Sequence, residues 1–187
     1  MTRAGPGLRL AAGLAALTLL SGCILQSEVP LIGESDARLL LGKGAVALDL
    51  YQLDSANPGQ WQPGDEPHLT VTAAGNHYVV PDPEDPGDAS KIFNLWLMPL
   101  DAGHVALQIS DPAGMLYGLA GWDGRALTVA ILDCKALKDH PGAANLVTFE
   151  TSDCHPKSGP AGAKALFTAL VPMMPRTRRV VGHMASR

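Results

Sequence analysis

The sequence predicts a mainly β fold of the α+β class. The expected architecture is an antiparallel β-meander, curled or closed into a barrel-like sheet, with one C-terminal helix packed on it. Three observations carry this expectation. Residues 68–73 and 104–110 alternate apolar and polar side chains, the period of a half-buried strand. Asp123-Gly124 stands between two apolar segments, a strong signal for a two-residue hairpin turn. Near the end of the chain the period changes to that of a helix, with Leu166, Phe167, Leu170 and Val171 on one side.

The elements follow in order. Residues 24–42 read as a tether and entry, short and polar at 26–30, within which residues 37–41 fit either one helical turn or an edge strand. Residues 45–51 are a strand candidate, followed by a polar loop containing Pro58, Gly59, Pro63 and Gly64. Residues 68–73 place Leu69, Val71 and Ala73 on one face. Ala74-Gly75-Asn76 turns, and residues 77–80 return as the second arm of a hairpin. Residues 82–88 form a loop. Residues 91–98 make the next strand, with Phe93, Leu95 and Leu97 on one face and Ile92, Asn94, Trp96 and Met98 on the other, so it is apolar on both sides. Residues 104–110 run back with Val105, Leu107 and Ile109 inward, and Asp111-Pro112-Ala113-Gly114 turns again. Residues 116–122 and 126–132 pair around Asp123-Gly124. The pairs 68–80 and 104–117 echo one another faintly, as two similar hairpins. A short strand is expected at 146–150 and a helix at 160–171, where Pro160 suits a first turn and Pro172 and Pro175 stop it. Residues 176–187 read as a loose basic tail.

The first 23 residues have a different character. Arg3 and Arg9 precede an eleven-residue, largely apolar run, residues 10–20, with no acidic residue near it. A cationic start, a short apolar core and small residues make a signal peptide. The core is too short to span a bilayer, which takes about 20 apolar residues. Its end, Leu20-Ser21-Gly22-Cys23, resembles a bacterial lipobox. The resemblance covers residues 1–23 only, and it implies a diacylglyceryl thioether on Cys23, cleavage before it and acylation of the new amino terminus, palmitate among the chains. Ile24 is not the aspartate that marks inner-membrane retention in enterobacteria, which favours the outer membrane. The expected organisation is therefore a signal peptide over residues 1–22, a lipidated tether over 23–36, one β-rich domain over 37–175 and a basic tail over 176–187.

Charge and cysteine usage fit an exported protein. All 18 acids lie between Glu28 and Asp153. Residues 23–153 hold six bases, a net charge of −12, while residues 154–187 hold six bases and no acid. An acidic body disfavours nucleic acid as a partner. The basic end is suited either to anionic headgroups or to the acidic body of its own domain. Cys134 and Cys154 form an even pair in an oxidising compartment, and a disulfide is expected. A metal or redox site built from Cys134, Cys154 and His155 is the competing reading, and it lacks the short ligand spacing of such sites.

No hydrolase elbow, P-loop, dinucleotide fingerprint or zinc-protease motif is present, and no cofactor or metal is expected. The acidic loop 82–88 lacks the spacing of a calcium loop. His68, His77 and His104 read as surface histidines on strands rather than ligands. Trp96, Met98, Tyr117 and Trp122 are the candidates to line an apolar cavity; otherwise one sheet face is core and the other lies under helix and loops. Two functions follow as expectations. One is a non-catalytic, membrane-anchored envelope lipoprotein that holds or assembles a protein partner in the periplasm. The other is a carrier of a hydrophobic ligand such as a lipid, comparable to lipocalin-like barrels by architecture alone.

Overall fold

The computed structural model describes residues 25–54, 56–57, 59–81, 88, 92–111, 114–150, 153–174 and 178–183. Residues 1–24, on which the expected signal peptide and Cys23 fall, most of the acidic loop and the last four residues lie outside the described residues. The fold is mainly β, with a large antiparallel sheet and a short C-terminal helix, as the alternation and the final change of period predict.

The strands are β1 (Gln26–Ser27), β2 (Ala45–Leu53), β3 (Trp61–Ala74), β4 (His77–Val80), β5 (Phe93–Pro99), β6 (His104–Asp111), β7 (Gly114–Trp122) and β8 (Ala126–Ile131). Then come α1 (Cys134–Lys138), α2 (Ala143–Leu146), β9 (Val147–Phe149), β10 (Cys154–Pro156), α3 (Ala163–Leu170) and β11 (Arg178–His183). Strands β9 and β10 pair with each other apart from the main sheet. The main sheet runs β1-β7-β6-β5-β4-β3-β2-β11-β8, and β8 pairs again with β7. Gly118 of β7 sits where that second pairing begins. A Cβ there would stand 3.1 Å from the Ala130 carbonyl oxygen, so the close approach suits glycine.

Alternation sorts the side chains into two cores. On one face lie Val46, Leu48, Val71, Tyr78, Leu97, Val105, Leu107, Ala120 and Leu127, contributed by seven strands from β2 to β8. On the other face Met98, Ala106, Tyr117 and Leu119 meet Leu25, Leu31 and Ile32 from the N-terminal segment. They also meet Leu166, Phe167 and Leu170 of α3. Each fully buried Leu or Phe contributes roughly 1.5–3 kcal/mol relative to an exposed one. The disulfide Cys134–Cys154 forms, with Cα atoms 5.7 Å apart, and ties α1 to β10 beneath this second core.

Several expectations are corrected. Residues 178–183 are not a loose tail. They form β11, inserted between β2 and β8, where Arg178 pairs Gln52 on one side and Val129 on the other. Without it both neighbours would present open edges, and pairing removes that liability. Pro63 and Gly64 do not stand in a loop, because β3 already begins at Trp61. The register shifts between Asp49 and Tyr51, so the strand bulges through Gly64 and Pro67, a place where proline is tolerated in a sheet. Residues 37–41 are neither helix nor strand, and residues 25–36 are not a free tether, for the reasons given next.

Candidate functional site

The chemically distinctive part of the molecule is the N-terminal segment, residues 25–42, and the side chains that fasten it. Leu25 has no exposed surface. Its N–H donates to the Leu132 carbonyl at 3.0 Å and its carbonyl accepts from the Tyr117 N–H at 3.1 Å. It also bridges to Cys154, and the ring of His155 reaches the Gln26 carbonyl at 3.1 Å. β1 then pairs with β7 at Gln26–Leu116 and Ser27–Met115. A polar stretch behaves this way because the residues that count in it are apolar: Leu25, Leu31, Ile32 and Ala37 are all buried.

After a turn at 28–30 the chain crosses the face of β6 and β7 that carries Gln108 and Tyr117, held by two latches. Gln108 is fully buried. Its Oε1 accepts from the N–H groups of Leu31 and Ile32, both at 2.8 Å, and its Nε2 donates to the Ile32 carbonyl at 3.2 Å. The Tyr117 hydroxyl donates to the Val29 carbonyl at 3.0 Å and accepts from the Leu31 N–H at 3.1 Å. Burial pushes its phenol up to about 12. Its ring also lies 5.6 Å from that of Phe167, which couples the strap to α3.

Further on, Arg38 N–H donates to the Leu97 carbonyl at 2.8 Å. The strap then ends against the other core. Leu41 is buried there, its N–H donating to the Tyr78 hydroxyl at 2.9 Å, and that hydroxyl donates to the Gly42 carbonyl at 3.0 Å. Burial raises the Tyr78 phenol as well.

A polar node sits on the strap's outer edge. Glu34 Oε1 lies 2.7 Å from His77 Nδ1 and accepts from the Trp96 indole at 3.3 Å. Its Oε2 accepts from the Asn76 N–H at 3.0 Å. That backbone donor, with lesser help from Trp96 and His77, holds the carboxyl below its ordinary value. The His77 and Trp96 rings stack with centroids 5.0 Å apart. Beside the strap, an open cleft of about 270 Å3 lies between Asp36, Met98, Pro160 in the turn before α3, and Lys164 in its first turn. A smaller one of about 150 Å3 lies between Leu40, Trp122 and Arg125.

The four expected cavity residues do not line one space. Trp96, Met98 and Tyr117 belong to the second core, under α3, whereas Trp122 packs on the first. Parity explains the split, since Tyr117 and Trp122 are an odd number of residues apart on the same strand. The three histidines meet separate carboxylates: His68 with Asp49 at 2.8 Å, His77 with Glu34, and His104 with Asp101 at 3.0 Å. Among the described residues no group of three or more His, Cys, Asp or Glu is placed to hold a metal ion. No described helix is long and apolar enough to cross a membrane.

Sequence reasoning missed Gln108 and Glu34. The pattern Ala106–Gln108–Ser110 marks the polar side of its strand, and only the strap makes that side a core. No family model, curated protein or solved structure matches the chain.

Proposed function

We propose that the protein is a bacterial envelope lipoprotein, anchored through acylated Cys23 on the periplasmic side of the outer membrane, and that it acts without catalysis by holding or assembling a protein partner. The observation that carries the partner reading is the filled inner face of the sheet. We read the order of pairings, which returns from β8 to β7, as a closed eight-stranded barrel. Its interior positions are taken by Val46, Leu48, Val71, Tyr78, Leu97, Leu107 and Leu127. An eight-stranded barrel is just wide enough for side chains to fill it.

The cleft of about 270 Å3 is smaller than ordinary ligand pockets, which run roughly 300–1,000 Å3. The apolar side chains that take the interior positions weigh against the carrier reading. The outer surface remains, and the stacked Trp96–His77 pair with Glu34 beside it offers the aromatic and charged chemistry that dominates protein interfaces.

The test is made on the protein isolated from a bacterial envelope. Membrane fractionation should place the wild type with the outer membrane, and Cys23→Ala should release it. Photo-crosslinking from position 96 should give one defined protein adduct. Native mass spectrometry that found a lipid at fixed stoichiometry inside the domain, beyond the anchor itself, would overturn the partner reading in favour of the carrier.

A further inference from the structure

We infer that the anchor has no linker, so that the acylated residue seats the domain directly on the bilayer in one orientation, with the β1 side of the sheet against the headgroups. This rests on acylation of Cys23 and goes beyond it. Cys23 precedes Leu25 by two residues, and two residues of chain reach at most about 7 Å. Leu25 is the opposite of a free end. It is fully buried, bonded through both backbone groups to Leu132 and Tyr117, and bridged to Cys154 of the disulfide-bonded layer. The glyceride is therefore tied within a few ångströms of a rigid point on the fold. Three acyl chains hold that point at the membrane surface, since each buried methylene adds to the hold.

A second observation agrees with the first. Among the side chains whose exposure is described, the one exposed large hydrophobic is Val29, at 55% exposure. It stands in the turn just after β1, and that turn is fixed by Tyr117 and by Ser27, whose hydroxyl accepts from the Val29 N–H at 3.2 Å. A lone exposed valine beside a lipid anchor is placed to meet lipid. The opposite side follows from the pairings. β3 is four pairings from β7 in either direction around the sheet, and its outward residues Thr70 and Thr72 are exposed. They face away from the membrane.

The experiment uses the full-length lipidated protein in vesicles of phosphatidylethanolamine and phosphatidylglycerol that contain a lipid with a spin-labelled, fluorescence-quenching headgroup. A fluorescent amino acid is introduced by nonsense suppression at position 29 in one preparation and at position 70 in another. Flotation with the vesicles reports the anchor, and quenching reports the orientation. Expected is flotation of both, with quenching several-fold stronger at 29 than at 70. A twelve-residue Gly/Ser insert between Ile24 and Leu25, spanning roughly 20 Å as a flexible chain, should keep flotation and abolish most of the difference. Flotation with equal quenching at both positions, or a difference unchanged by the insert, would overturn the linkerless anchor while leaving lipidation standing. Failure to float would overturn lipidation, and the orientation with it.

Discussion

Replacing Gln108 by leucine tests whether the strap is held by that one buried amide. The two side chains are similar in size, so the change mainly removes polar bonds. Three are lost: two N–H groups at 2.8 Å and one carbonyl at 3.2 Å. The Leu31 N–H keeps the Tyr117 hydroxyl. The N–H and carbonyl of Ile32 lose the partners Gln108 gives them, and an orphaned buried group costs about 1–3 kcal/mol. Two such groups give roughly 2–6 kcal/mol, partly offset by burying leucine in place of an amide, so about 3 kcal/mol is expected. For a domain of this size each kcal/mol moves Tm by about 2–4 °C, which predicts a fall of roughly 6–12 °C. Thermal unfolding by circular dichroism measures it. Amide hydrogen exchange should locate the damage in residues 25–37. Tyr117→Phe should cost less, about 1 kcal/mol, because Leu31 keeps Gln108. The double variant should lose more than the two single losses added, since Leu31 then has neither partner. A Q108L protein with unchanged Tm and unchanged protection at residues 31 and 32 would refute the reasoning.

Three further outcomes are expected. Replacing Cys134 and Cys154 together by alanine opens a loop of sequence separation 20, which chain entropy values at about 3 kcal/mol; urea titration of the oxidised protein against the double variant reads the loss directly, and equal midpoints would contradict it. The Glu34 carboxyl is held below its ordinary value of 4.5, chiefly by the Asn76 N–H, so its contribution to fixing the strap is complete above that pH and is lost as pH falls through its lower folded value. Trp96 emission should change over that acid range in the wild type, and Glu34→Gln should remove the transition. The Tyr117 phenol is raised to about 12 by burial, so its contribution is complete below the unfolded value near 10 and is lost as pH rises from there toward 12. The difference in absorbance titration near 295 nm between the wild type and Tyr117→Phe should be one late ionisation, and a difference that lies near 10 would contradict the burial argument.

Strand sequence was legible because each strand carries its own period. Leu69, Val71 and Ala73 share a face, and so do Val105 and Leu107, as alternation requires. The α3 helix was legible for the same reason: Leu166, Phe167 and Leu170 recur at helical spacing and are all buried. What escaped are segments whose order comes from partners distant in sequence. Arg178 and Arg179 read as part of a loose basic tail, and only the edges of β2 and β8 turn them into strand. Gln26 and Ser27 read as tether for lack of a run long enough to show a period. The site escaped because a latch is a relation between segments. Gln108 is 76 residues from the Ile32 it binds, and Glu34 is 62 from Trp96.

The strap also explains why this sheet tolerates strands that are apolar on both faces. Leu97 belongs to the core on one face of the sheet and Met98 to the core on the other. Left exposed, the face that carries Met98 would be an adhesive surface. The strap and α3 cover it together, and Tyr117 touches both, with its hydroxyl on the strap backbone and its ring against Phe167. Detaching the strap would therefore uncover Met98, Ala106 and Leu119 as well as break its own bonds. A force applied at the N-terminal end of the strap acts first on Leu25 and its bonds to Leu132 and Tyr117. A polar segment held only by surface contacts would peel under such a load. One held by buried leucines and a buried glutamine resists it.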